Sequence, residues 1–117
     1  MNTLKLLVIC SQNQWRSPTA ERIYQSDARI DVRSAGTSAG ARHHVSSADI
    51  EWADHILVME AKHREQLQRL FASSDLPSIS VANIDDSYHY MDPELIELLT
   101  QEIEVLIDQF QSATKLF

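Results

Sequence analysis

Leu4-Lys5-Leu6-Leu7-Val8-Ile9-Cys10-Ser11-Gln12-Asn13-Gln14-Trp15-Arg16-Ser17-Pro18 contains a change of pattern that decides the architecture. Residues 4–9 are a continuous apolar run of strand length, the signature of a central strand of a parallel sheet, buried on both faces. Polar residues follow at once. Ser17-Pro18 then has the chemistry of a helix start, because serine can cap the first turn and proline tolerates it, and Ala20, Ile23 and Tyr24 continue at helical spacing. A buried strand, a tight loop and a helix make the first half of a βαβ unit.

The rest of the chain repeats that unit. Residues 30–35 alternate like an exposed or edge strand, and Gly36 and Gly40 punctuate the loop after them. Ser46-Ser47-Ala48-Asp49 starts a helix carrying Ile50, Trp52 and Ala53, and residues 55–59 read as a second buried strand. Residues 62–72 form a charged helix with Leu67, Leu70 and Phe71 on one face, and residues 78–82 a fourth strand. Asp92-Pro93 caps and opens the longest helix, whose stripe of Leu95, Leu98, Leu99, Ile103, Leu106, Ile107 and Phe110 is a core face. Four β-then-α units without linker or repeat predict one α/β domain over residues 1–117, a four-stranded parallel sheet with helices on both faces. Ligands in such folds sit beyond the C-terminal ends of the strands, and residues 10–17 and 85–92 are loops of that kind.

Composition narrows the function. The 117 residues include one cysteine, so neither an internal disulfide nor a multi-cysteine metal site is available and a reducing, cytoplasmic location is expected. The first apolar run is too short for a signal-peptide core, Ile9 is too bulky for lipid-attachment processing at Cys10, and no stretch approaches the ~20 apolar residues of a membrane span. His43 and His44 are neighbours without spaced partners, and His55, His63 and His89 have no ligand spacing, so neither a metal nor a cofactor is expected. Residues 1–45 carry six basic and three acidic side chains, residues 46–117 four and fourteen, for a net charge of −7. An acidic chain without a basic run repels nucleic acid, whereas a small anion is locally welcome in the N-terminal third.

The loop after the first strand suits such an anion. At a helix N-terminus unpaired N–H groups and the positive end of the helix dipole face the same point, so the loop and first turn, Ser11, Gln12, Asn13, Gln14, Trp15, Arg16 and Ser17, can cradle a phosphate. Cys10 then lies at the floor, and Arg16 closes over the rim with a planar fork suited to two phosphate oxygens. The positive surroundings favour thiolate over thiol, which makes Cys10 a nucleophile. Ser17 can donate its hydroxyl to the sulfur, Asn13 tolerates the left-handed backbone a sharp bend needs, and Trp15 is expected at the rim, flanking an aromatic substrate.

Cys-x5-Arg-Ser-Pro after a buried strand resembles the low-molecular-weight protein tyrosine phosphatases, as do Thr19-Ala20-Glu21, Ser34-Ala35-Gly36-Thr37, Ala53-Asp54 and Met59. The chain looks like a short, atypical member, with Gln12 where the family usually has glycine and no second loop cysteine beside Arg16. The resemblance implies a flavodoxin-like three-layer sandwich and a phosphocysteine mechanism without a metal. It also implies a general acid in a loop reading Asp-Pro-Tyr, where this chain has Asp86-Ser87-Tyr88. Asp86 is accordingly the expected acid, with Asp85 and Asp92 as alternatives, and Trp15 and Tyr88 the expected pocket walls. The implied substrate is a phosphorylated protein or a small phosphate ester, handled by a monomer or weak dimer. Three rivals remain open: an arsenate reductase using an external thiol, a phosphoryl carrier of a sugar-uptake system, and a module that binds phosphate or phosphoprotein without turnover.

Overall fold

The apolar run becomes an inner strand with neighbours on both sides. In a computed structural model that describes residues 3–115, β1 (Leu4–Cys10) pairs in parallel with β2 (Ile30–Gly36) on one edge and with β3 (His55–Val58) on the other. β4 (Ser78–Val81) pairs in parallel with β3, giving the order β2-β1-β3-β4. α1 (Arg16–Tyr24), α2 (Ser47–Trp52), α3 (Ala61–Leu70) and α4 (Pro93–Lys115) connect or follow the strands. This is the four-stranded parallel α/β architecture expected from the sequence, and none of the helices among the described residues is long and apolar enough to cross a membrane.

Alternation along β1 divides the core. Leu4, Leu6, Val8 and Cys10 face the layer made by α1 and α4, where Ala20, Tyr24, Leu95, Leu99 and Ile103 are buried. Leu7 and Ile9 face the opposite layer with Ile50 of α2 and Leu67 of α3. Each buried leucine or isoleucine contributes roughly 1.5–3 kcal/mol of transfer free energy, so the α4 stripe is a principal holder of its layer. β2 is an edge strand, with Asp31 and Arg33 exposed, as its alternation predicts.

Two local expectations held and one did not. Ser46 accepts a hydrogen bond from the Asp49 amide and Asp49 reaches back, a capping box. Asp92 Oδ1 accepts from the Glu94 amide at 2.9 Å and starts α4. Ser17 is no cap: α1 begins at Arg16, with Trp15 in the capping position, and the Ser17 side chain turns inward to the residues of the loop. The helix starts two residues earlier than a Ser17 cap would place it, which frees a buried hydroxyl for other work.

β1 and β3 adjoin, yet their following helices pack on opposite faces of the sheet, which makes the gap beyond Ile9 and Val58 the topological switch point. The loop of residues 10–15 rises there against Gly36. A Cβ at Gly36 would lie 2.5 Å from the Ser11 carbonyl oxygen and 2.7 Å from Ala41 Cβ, so this glycine lets two backbones touch. Gly36→Ala is therefore expected to cost about 1–3 kcal/mol in chemical denaturation. Gly40→Ala, whose Cβ meets nothing within 4 Å, is expected to change stability by less than about 0.5 kcal/mol. Equal effects of the two would remove the close-approach argument.

Candidate functional site

The loop after β1 is built so that its carbonyls point out and its amides point in. The carbonyls of Cys10, Ser11 and Gln12 accept from the backbone N–H groups of Thr37, Ser38 and Arg42 at 3.0–3.1 Å. Asn13 O accepts from Arg42 Nε at 2.9 Å, and Trp15 O from the Thr19 amide at 3.2 Å and the Thr19 hydroxyl at 2.6 Å. Asn13 makes the bend with φ 57°, as expected of an asparagine, and is fully buried. Among the described residues the N–H groups of Ser11, Gln12, Gln14, Trp15, Arg16 and Ser17 have no hydrogen-bond acceptor. Consecutive amides left free around a helix N-terminus form a nest for an anion.

Cys10 closes the bottom of that nest, 3% exposed. Its Sγ accepts from the Asn13 amide at 3.3 Å and lies 3.0 Å from Ser17 Oγ. Ser17 Oγ accepts from Asn13 Nδ2 at 2.9 Å, and its hydroxyl proton has two acceptors within reach, the sulfur at 3.0 Å and the Ala35 carbonyl at 3.4 Å. The other Nδ2 proton goes to Ser34 Oγ at 2.9 Å, and that hydroxyl donates to Glu21 Oε1 at 2.8 Å. Donation thus runs outward from Asn13 in two directions, through Ser34 to Glu21 and to the Ser17 hydroxyl beside the sulfur.

Arg16 is 4% exposed and held from one side. Its Nη1 donates to Glu60 Oε1 at 2.5 Å and to Ile84 O at 2.8 Å, linking α1 to the ends of β3 and β4. Among the described residues Nε and Nη2 have no acceptor, so the remaining edge of the fork is available to an oxyanion. Burial works against the charge of Glu60, but the Arg16 guanidinium, with smaller help from Lys62, outweighs it and holds the carboxyl below its ordinary range.

A cavity of about 240 Å³ lies over the sulfur, lined by Cys10, Gln12, Gln14, Trp15, Arg16 and Asp86. The three residues expected to carry the chemistry thus border one space. Asp85 is turned elsewhere: its Oδ1 accepts from the Ser87 amide at 3.1 Å and from the Ser87 hydroxyl, and these bonds keep its carboxyl below the usual range. Asp92 is engaged at the start of α4. Trp15 stands at the rim, 41% exposed, with its ring 4.6 Å from that of His89. Tyr88, expected as the second wall, does not line the cavity; its partly buried ring packs against the α1–α4 core layer. An apolar ring on a loop crossing a core gains more from that contact than from a wet cavity. The larger cavity of about 810 Å³ lies along α1 and the β2 edge and shares only Gln14 and Trp15 with this one.

Sequence reasoning missed Glu60 and His63. Glu60 follows Met59 at the C-terminal end of a central strand, which was the available signal. His63, fully buried, accepts from the Glu60 amide on Nδ1 at 3.0 Å and meets Ser11 Oγ with Nε2 at 2.8 Å. Burial, then the Arg16 charge, pushes its pKa from 6.5 down to about 4. In the unfolded chain the ring protonates first, so its contribution to stability is complete above pH 6.5 and is lost as the pH falls through about 4. Acid unfolding should show a loss of roughly 2 kcal/mol across that window, after allowance for solvent screening, and His63→Gln should remove it. The same acid loss in the variant would assign the effect to other groups.

No family model matches the chain, and no curated protein does. Solved structures do. The tyrosine phosphatase Wzb from Escherichia coli in complex with phosphate is 23% identical, with a TM-score of 0.69 over 92% of this chain and 99% of that one. A low-molecular-weight phosphotyrosine phosphatase from Vibrio cholerae is 22% identical, with a TM-score of 0.63 over 92% and 97%. The YwlE arginine phosphatase from Geobacillus stearothermophilus is 21% identical, with a TM-score of 0.60 over 96% and 93%. At these identities the likeness establishes the fold: the chain has the three-layer fold of the low-molecular-weight tyrosine phosphatases.

Proposed function

We propose that this protein is a cysteine-dependent phosphomonoesterase, a one-domain cytoplasmic hydrolase acting on phosphorylated protein, with phosphotyrosine the favoured group. The observation that carries the reading is the coincidence, over one sulfur, of a ring of unpaired amides and the free edge of a buried guanidinium. That arrangement matches three equatorial phosphoryl oxygens better than it matches a carboxylate or a neutral ligand.

In the proposed reaction the Cys10 thiolate attacks phosphorus while the loop amides and Arg16 hold the equatorial oxygens. The P–O ester bond breaks as Asp86 gives its proton to the leaving oxygen. Phosphocysteine and the free alcohol result. Water then attacks phosphorus, Asp86 takes its proton, the P–S bond breaks, and phosphate leaves with the thiolate restored. Ser17 steadies the sulfur in both halves. The fixed positive field supplies what a metal supplies elsewhere, so the steps balance with protein groups and water alone.

The rivals fit less well. A reductase with Cys10 as the one cysteine of the sequence would need an external thiol at every turnover, a co-reactant that hydrolysis does not require. A phosphoryl carrier has no use for a buried arginine or for an aspartate over the sulfur. The arginine phosphatase among the structural neighbours leaves phosphoarginine as the second substrate to try. Purified protein is expected to hydrolyse p-nitrophenyl phosphate in the presence of a chelator and to be inhibited competitively by vanadate. Vanadate binding with no turnover would favour the binding module, and neither would end the reading.

A further inference from the structure

The proposed reaction leaves one buried polar group of the switch point without a task. His63 sits in the first turn of α3 with no exposed surface, between the anion loop and the carboxylate that holds Arg16. Its two ring nitrogens are used in opposite senses. The Glu60 amide donates to Nδ1 at 3.0 Å, so Nδ1 carries no proton; the proton of the neutral ring is on Nε2 and is donated to Ser11 Oγ at 2.8 Å. Ser11, next to Cys10, is gripped a second time through its carbonyl, which accepts from the Ser38 amide at 3.0 Å.

We infer that His63 is a positioning residue of the anion site, bridging Ser11 of the loop to the backbone of Glu60 and so setting the amide nest and Arg16 in register. This rests on reading residues 10–17 as an anion cradle. Capping α3 alone would require only the acceptor at Nδ1, which an acidic or amide side chain supplies equally well. The second contact spans 52 residues of sequence and plays no part in the helix. Only a side chain with a donor and an acceptor on opposite edges joins the two elements.

The charges around the ring preserve that polarity. Arg16 from α1 and Lys62 from α3 oppose a second ring proton, Glu60 favours one, and burial opposes it most, with the outcome a pKa of about 4. A proton on Nδ1 would also face the Glu60 N–H, donor against donor. The bridge is therefore intact through the neutral range.

Inorganic phosphate affinity, measured by calorimetry on the purified chain, reads the cradle independently of turnover. His63→Ala should weaken phosphate about tenfold, the value of one buried hydrogen-bonded contact, and lower kcat for p-nitrophenyl phosphate by more than it raises KM. Ser11→Ala should weaken phosphate by about threefold to tenfold, and the double variant should be no worse than His63→Ala alone. His63→Gln, whose amide offers an N–H to Ser11 and an oxygen to Glu60, should recover to within about threefold. Unchanged phosphate affinity in folded His63→Ala, or strictly additive losses, would overturn the inference. If His63→Ala does not fold, Ser11→Ala decides it alone, since Ser11 is partly exposed and unchanged affinity there breaks the bridge argument. A wild-type chain that binds phosphate through His63 yet never turns over substrate sinks the hydrolase reading and leaves this one standing. Turnover indifferent to His63 does the reverse.

Discussion

Cys10→Ser is expected to lower aryl-phosphate turnover by on the order of 10⁴-fold or more while inorganic phosphate still binds. The chemistry requires a nucleophile that is anionic when it meets phosphorus, and a serine hydroxyl in the same place offers a neutral oxygen with no base beside it. The groups touching the sulfur are the Asn13 amide and the Ser17 hydroxyl, and neither is a base. Neither can take a proton from serine. Binding rests on other atoms, the loop amides and Arg16, and removing a negative sulfur from beneath a phosphate dianion relieves repulsion. Affinity for phosphate should therefore be equal or higher in the variant. Turnover within tenfold of the wild type would exclude the covalent route.

Asp86→Asn separates the acid from the nucleophile by leaving group. Asparagine keeps the shape of the side chain at the mouth of the 240 Å³ cavity but has no proton to give. A phenyl or alkyl phosphate, whose oxygen leaves poorly without protonation, should lose about 10²–10⁴-fold in kcat/KM. p-Nitrophenyl phosphate, whose leaving group departs readily as an anion, should lose about tenfold or less by the same reasoning. Asp85 is a weak competitor for this role because the Ser87 amide and hydroxyl favour its ionised form and turn it from the sulfur. Equal losses on both substrates would move the acid elsewhere.

The main architecture was legible because each decisive signal was local. The β1 run, the α4 stripe, the capping box at Ser46 and the left-handed Asn13 follow from side-chain type within a few residues. The juxtaposition of Cys10 and Arg16 follows from the geometry of one short loop, and the cavity they border includes Asp86 from the distant 85–92 segment. The support around Arg16 was not legible. Glu60 and His63 are 44 and 52 residues from their partners Arg16 and Ser11, at the cap and in the first turn of a helix whose pattern is that of a solvent-facing charged face. They become neighbours only because β1 and β3 adjoin at Ile9 and Val58. Tyr88 was misplaced for a related reason. Its loop turns through left-handed backbone at Asn83 and Met91, and methionine gives no hint of such a turn in advance.

The most direct test is a crystal structure of the protein with vanadate. Vanadium should sit on Cys10 Sγ, with its equatorial oxygens on the free loop N–H groups, drawn from Ser11, Gln12, Gln14, Trp15, Arg16 and Ser17, and on Nε and Nη2 of Arg16, while Nη1 stays on Glu60 and Ile84. Vanadate found along α1 and the β2 edge instead, or a loop whose amides turn away from the ion, would contradict the account.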